Sequence, residues 1–304
     1  GTDKPDLRNP LKIMDVTECF KGSGFQIFEN NIEKGFKVKG IKAPNSAEKP
    51  RAWFDKLNNW ARDNGQKGLG YIIYQQQKFL GPIANNMQDQ NLQAIKEVFE
   101  LKNNESIFFI CDDQENSIKF SSIARTKICE ELDLLEKNSF KFCWIIDYPM
   151  YEINSTTKKI DFSHNPFSMP QGGMDSLENK NPLDILAWQF DIVCNGVELS
   201  SGAIRNHKID IMIKAFEIAG YSENEIQNRF GSLFNAFQYG APPHGGSAPG
   251  IDRIIMLLAD EENIREITAF PMNQQAEDLM LKAPSDVNTN HLKELGLELR
   301  KDKK

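Results

Sequence analysis

Asn195-Gly196 lies between two runs in which polar and apolar residues alternate, FDIVC before it and VELSSGAIR after it. Asn-Gly in that setting is the strongest short-range signal for a two-residue type I′ hairpin, because both turn positions need φ > 0. Hairpins on either side of it, with helices gathered after them, point to an α+β chain rather than a doubly wound parallel sheet.

Pairing across the turn sets Cys194 opposite Val197, Val193 opposite Glu198 and Asp191 opposite Ser200. Side chains alternate with period two, so Asp191, Val193, Glu198 and Ser200 share a face. Asp191 and Glu198 become diagonal neighbours, roughly 7–8 Å apart at Cα. Two carboxylates so placed can converge on a hard cation, and Mg²⁺ takes one or two protein carboxylates together with phosphate oxygens. The pair fits a solvated face of an ordinary sheet equally well, although Val193 between them is out of place on such a face. Arg205 is the candidate counter-charge. Unbroken alternation from Glu198 turns it to the opposite face. Its joining the carboxylates therefore requires a β-bulge, expected at Gly202.

The second informative stretch is Gly240–Ala259, GAPPHGGSAPGIDRIIMLLA. Backbone without Cβ atoms approaches a ligand closely. A helix starting at its end aims unpaired N–H groups and a positive dipole end at the same place. Arg253 in the first turn adds a planar cation suited to a phosphate or a base. A nucleotide subsite and a structural loop leading into a helix both fit. The spacing matches neither GxGxxG nor a P-loop.

The remaining residues set the organisation. Between 24 and 45 we read two short strands, GFQIF and GFKVKGI, followed by a helix over 48–63 with Trp53, Leu57, Trp60 and Ala61 on one face. A strand over 68–76, a helix over 91–101 with Leu92, Ile95, Val98 and Phe99, a strand over 106–112 and a helix over 121–135 complete one α+β unit. Beyond it we read a long strand over 140–153, a turn over 154–159, a second extended segment over 160–170 and the Asn195-Gly196 hairpin. Helices over 207–220 and 223–239 follow, the second capped by Ser222 with Glu225 in the capping-box position.

At 304 residues the chain is long enough for two domains, and no apolar run approaches the ~20 residues of a membrane span. The net charge of −7 excludes a general attraction to nucleic acid, and the basic tail Arg300–Lys304 reads as a solvated terminus. Five dispersed cysteines and four dispersed histidines suggest neither a disulfide framework nor a His-ligated metal. A reducing cytoplasm is the expected compartment. The opening GTDKPDLRNP, with Gly1 rather than Met, reads as the start of a fragment or a processed form.

Five segments together resemble the C-terminal part of bacterial-type aspartyl-tRNA synthetases, which are class II enzymes: GTDKPDLRNP (1–10), FSHNPFSMP (162–170), FDIVCNGVELSSGAIR (190–205), YGAPPHGGSAPGIDR (239–253) and NIREITAFPMNQQAEDLMLKAPS (263–285). The GIDR segment resembles the third class-defining motif. The resemblance implies a class II antiparallel sheet with flanking helices over 136–304, a catalytic-domain segment over 1–19, and between them, over 20–135, an inserted α+β domain like one shared with GatB/GatE amidotransferase subunits. It implies aspartate–tRNA ligase activity. Aspartate attacks the α-phosphate of ATP, and the aspartyl group passes to the terminal ribose of tRNA, for aspartate or for both aspartate and asparagine.

By the same resemblance, Glu198 and Asp191 would hold Mg²⁺ at the ATP phosphates. Arg205 would grip the side-chain carboxylate of aspartate, and His164 would lie near the amino acid. Gly250, Ile251, Asp252 and Arg253 would bind ATP. The catalytic set is then Glu198, Arg205 and Asp191, and the full-length enzyme would be a homodimer. Asn165 stands where many bacterial members have a second histidine, and Ser200 and Ser201 stand where some have glycines. The anticodon-binding barrel and motifs 1 and 2 of the family fall outside these residues. The chain by itself is therefore expected neither to activate aspartate nor to dimerise as the full enzyme would. Two other readings are a related class II ligase for asparagine or lysine, which Arg205 disfavours, and a synthetase-like binding module without catalysis.

Overall fold

The structure, a computed structural model, describes residues 2–300. It divides into two compact units, one ending at Ala248 and the other beginning at Pro249.

The first part of the larger unit runs β1 (Ile13–Asp15), α1 (Gln26–Ile32), β2 (Lys37–Ala43), α2 (Arg51–Asp63), β3 (Gly70–Gln75), β4 (Lys78–Leu80), α3 (Asp89–Phe99), β5 (Glu105–Asp112) and α4 (Gln114–Glu131). Its five-stranded antiparallel sheet has the order β1-β2-β5-β3-β4. Central β5 is apolar over 107–111 because both faces are covered. Ile107 and Phe109 pack with Leu92, Ile95 and Phe99 of α3. Phe108 and Ile110 pack with Phe54 and Leu57 of α2 and with Phe120 and Ile128 of α4.

Three local expectations change here. GFQIF is not a strand but the start of α1. The Glu29 carboxylate accepts the Gly24 N–H at 2.9 Å, and the Phe25 and Phe28 rings meet edge-on at 4.9 Å, a helical spacing. α4 begins seven residues before the expected 121, because the Asp113 side chain caps it through the Asn116 N–H at 2.9 Å. Val98 is 40% exposed and lies off the stripe formed by Leu92, Ile95 and Phe99.

The second part of this unit runs β6 (Phe142–Ile146), β7 (Tyr151–Ile153), β8 (Ile160–Phe162), α5 (Gly173–Asn179), β9 (Gln189–Cys194), β10 (Val197–Ile204), α6 (Ile209–Ile218), α7 (Glu223–Phe237) and all but the last residue of β11 (Gly245–Pro249). A four-stranded sheet has the order β11-β10-β9-β6, with β6/β9 and β9/β10 antiparallel. The β9/β10 turn is the expected one, with Asn195 at φ 52° and Gly196 at φ 83°. α7 carries the complete capping box of Ser222 and Glu225.

The long strand expected over 140–153 is two strands in different sheets. Asp147 takes φ 60° and Pro149 offers no N–H, so β6 ends there and β7 pairs with β8 alone. Beyond Phe162 the segment to Pro170 is irregular rather than extended. Asn165 Oδ1 closes an Asx turn on the Phe167 N–H at 2.9 Å, across Pro166. Part of the glycine-rich stretch, by contrast, is an edge strand. A Cβ on Gly202 would lie 2.6 Å from Gly246 O, and one on Gly245 would lie 2.8 Å from Ala203 O. Glycines on both strands are what allow β11 to close on β10.

The smaller unit holds α8 (Ile251–Leu258) and α9 (Thr289–Glu294). Among the described residues no helix is long and apolar enough to cross a membrane. The basic tail lies outside the described residues beyond Arg300.

Candidate functional site

The strand pair β9/β10 builds the site, and its register decides which side chains meet. Glu198 pairs with Val193, but Ser200 pairs with Ile192 and Ser201 with Asp191. One residue of β10, Leu199, is therefore extra. The bulge that Arg205 required is present, but at Leu199 rather than Gly202, which pairs regularly with Phe190. Leu199 and Ser200 are buried in succession, which strict alternation beside an open face does not allow. After the bulge Ser201, Ala203 and Arg205 return to the face that holds Glu198, Val193, Asp191 and Gln189. Ser200 is the residue displaced. It leaves the carboxylate face, and its buried hydroxyl has no hydrogen-bond partner among the described residues.

A cleft of about 850 Å³ opens over this face. Asp191, Glu198, Arg205 and His164 all line it, so four of the sequence-predicted side chains come together. Gly246, Ser247 and Ala248 of β11 line it as well, which brings part of the glycine-rich stretch to the same place. Gly250, Ile251, Asp252 and Arg253 belong to the smaller unit. There Gly250 is the N-cap of α8, and a Cβ on it would lie 3.4 Å from Arg253 Cδ.

Several lining residues were not singled out from the sequence. Tyr148 donates its phenol hydrogen to Asp191 Oδ2 at 2.5 Å, and its ring meets the His164 imidazole edge-on with centroids 4.8 Å apart. Burial, and then the Asp191 carboxylate, push the Tyr148 phenol well above its usual range, so it remains a donor. Gln189 Nε2 donates to Asn165 O at 3.1 Å and to Ser168 Oγ at 2.7 Å. Backbone bonds from Met169 N to Ile204 O (2.8 Å) and from Asn206 N to Phe167 O (2.7 Å) tie the same segment to the end of β10. His164 and Arg205 are thus carried on two segments laced to each other. Lys4 Nζ lies 3.5 Å from Glu198 Oε2, and Asp3 also lines the cleft.

Gln189 was open to discovery, since it lies two residues before Asp191 on the same face. Tyr148 was hidden, because the break at Asp147 that redirects it reads as continuous strand. Asp3 and Lys4 sit in a loop without periodicity.

Among the described residues no group of three or more His, Cys, Asp or Glu side chains forms a metal cage. The donor set is instead two carboxylates on one wall of an open cleft. That suits Mg²⁺ carried in with phosphate oxygens, and it does not suit a metal held by protein alone.

The chain matches the family described as tRNA synthetases class II (D, K and N) over residues 1–274. It is 60% identical over 299 residues to an aspartate–tRNA(Asp/Asn) ligase of Paramagnetospirillum magneticum, covering 98% of this chain and 34% of that protein. It is 56% identical to one of Gluconobacter oxydans, covering 98% of this chain and 50% of that protein. The chain thus spans between about a third and a half of the length of these curated relatives. Among solved structures, an aspartyl-tRNA synthetase from Entamoeba histolytica is 16% identical with a TM-score of 0.36, covering 80% of this chain and 44% of that one, a likeness too distant to argue from. With nine-tenths of its length matched, the chain belongs to the class II tRNA synthetases of the D, K and N group.

Proposed function

We propose that the protein is an aspartate–tRNA ligase, which activates aspartate with ATP and passes it to tRNA. The observation that carries this reading is the bulge at Leu199, which puts Arg205 on the face of Asp191 and Glu198 in one cleft. A site with one arginine at one end and two carboxylates at the other suits an anionic amino acid beside a polyphosphate.

In this reading the Arg205 guanidinium makes a two-point contact with the side-chain carboxylate of aspartate, which lysine cannot reproduce. Glu198 and Asp191 would hold Mg²⁺, which when bound would supply charge neutralisation at the ATP phosphates. His164 borders the amino acid, and the backbone of β11 forms a close wall. Gly250, Ile251, Asp252 and Arg253 contribute to the ATP site. The aspartate carboxylate then attacks the α-phosphate, pyrophosphate leaves, and the aspartyl group moves to the tRNA ribose. Positioning and charge neutralisation supply most of the acceleration.

Residues 1–19 and 136–304 would belong to the catalytic domain and 20–135 to an inserted domain. The protein would act as a homodimer in the cytoplasm, where five free thiols are at home. The tRNA would be that for aspartate and also that for asparagine, a reading supported by the names of the relatives.

Pyrophosphate exchange by the full-length protein tests this. Exchange driven by aspartate supports it, whereas exchange driven only by asparagine or lysine overturns it.

A further inference from the structure

We propose that Tyr148 is a positioning residue that fixes Asp191 and His164 in one geometry across the cleft and leaves Asp191 a single oxygen for the metal. The inference rests on the ligase reading above. Ile145 pairs with Asp191, so regular alternation along β6 would put residue 147 on the cleft side and residue 148 on the opposite side. The left-handed turn at Asp147 reverses this and delivers the Tyr148 ring to the cleft.

The reversal is braced on both sides. Gln171 Nε2 donates to Asp147 Oδ1 at 2.7 Å, and the Ala187 N–H donates to Tyr148 O at 2.8 Å. The phenol then occupies Asp191 Oδ2, and Asp191 is only 8% exposed, so the carboxylate has little freedom to rotate. One-oxygen ligation suits the octahedral demands of Mg²⁺ better than a chelating carboxylate. The edge contact with His164 transmits the same constraint to the amino-acid end of the cleft.

The test uses the full-length protein with Mn²⁺ as the spectroscopic probe, titrated by electron paramagnetic resonance in the presence of ATP. Tyr148→Phe keeps the ring and loses one hydrogen bond to a charged group, so Mn²⁺ affinity should fall about tenfold. The His164 imidazole proton resonances should stay in place in Tyr148→Phe and move in Tyr148→Leu. Unchanged Mn²⁺ affinity in Tyr148→Phe would overturn the proposal while leaving the ligase reading intact. Absence of Mn²⁺ binding by the unaltered protein with ATP would overturn the ligase reading, and this role with it.

Discussion

At the scale of residues, charge and hydrogen-bonding geometry divide the cleft into two ends. Glu198 carries the negative end together with Asp191, and Lys4 lies within 3.5 Å of it. Glu198→Gln keeps the shape and removes the charge. Pyrophosphate exchange should drop by about 10²–10³-fold, as for loss of one strong transition-state contact, with little change in thermal unfolding. Equal exchange rates would remove Glu198 from the proposed metal site. The chemistry of these residues was legible in the sequence because carboxylates on one face of a hairpin repel unless something cationic joins them. Tyr148 was not legible, because nothing in FKFCWIIDYPMYEI announces that Asp147 adopts a left-handed conformation.

At the scale of elements, one extra residue decides the outcome. The hairpin at Asn195-Gly196 and the need for a bulge could be read from alternation. Its position could not, because Leu199 and Gly202 both occupy plausible places and the choice depends on packing. Gly202 turned out to serve the close approach of β11 instead. Deleting Ser201 keeps the bulge but moves every later residue by one place, which turns Arg205 away from the carboxylates. Exchange should then vanish while far-UV circular dichroism keeps its strand and helix signal; retained exchange would show that alternation along β10 is not what orients Arg205. The capping box of α7 offers an independent check on local structure. Ser222→Ala should cost about 1 kcal/mol in urea unfolding, and no loss would mean that the helix start is held by other contacts.

At the scale of the whole molecule, the two parts of the larger unit answer to different conditions. In the first, burial opposes ionisation of Asp15, but the Thr17 N–H and the Lys39 ammonium outweigh it and hold the carboxyl at about 2. Its folded value lies below the unfolded one, so its contribution is present above about pH 4 and fades as pH falls towards 2. Asp15→Asn should therefore lower stability at neutral pH, and the gap from the unaltered protein should close by pH 2. A gap independent of pH would assign the effect to packing.

In the second part, the proposed ligase function requires that the cleft select an anionic amino acid through Arg205. The most direct measurement is kcat/KM for aspartate in pyrophosphate exchange by the full-length protein and its Arg205→Gln variant, with asparagine as competitor. The unaltered protein should show a strong preference for aspartate that falls by at least ~10²-fold in the variant, because the substrate carboxylate is left without its partner. Aspartate activation by Arg205→Gln at the level of the unaltered protein would contradict it.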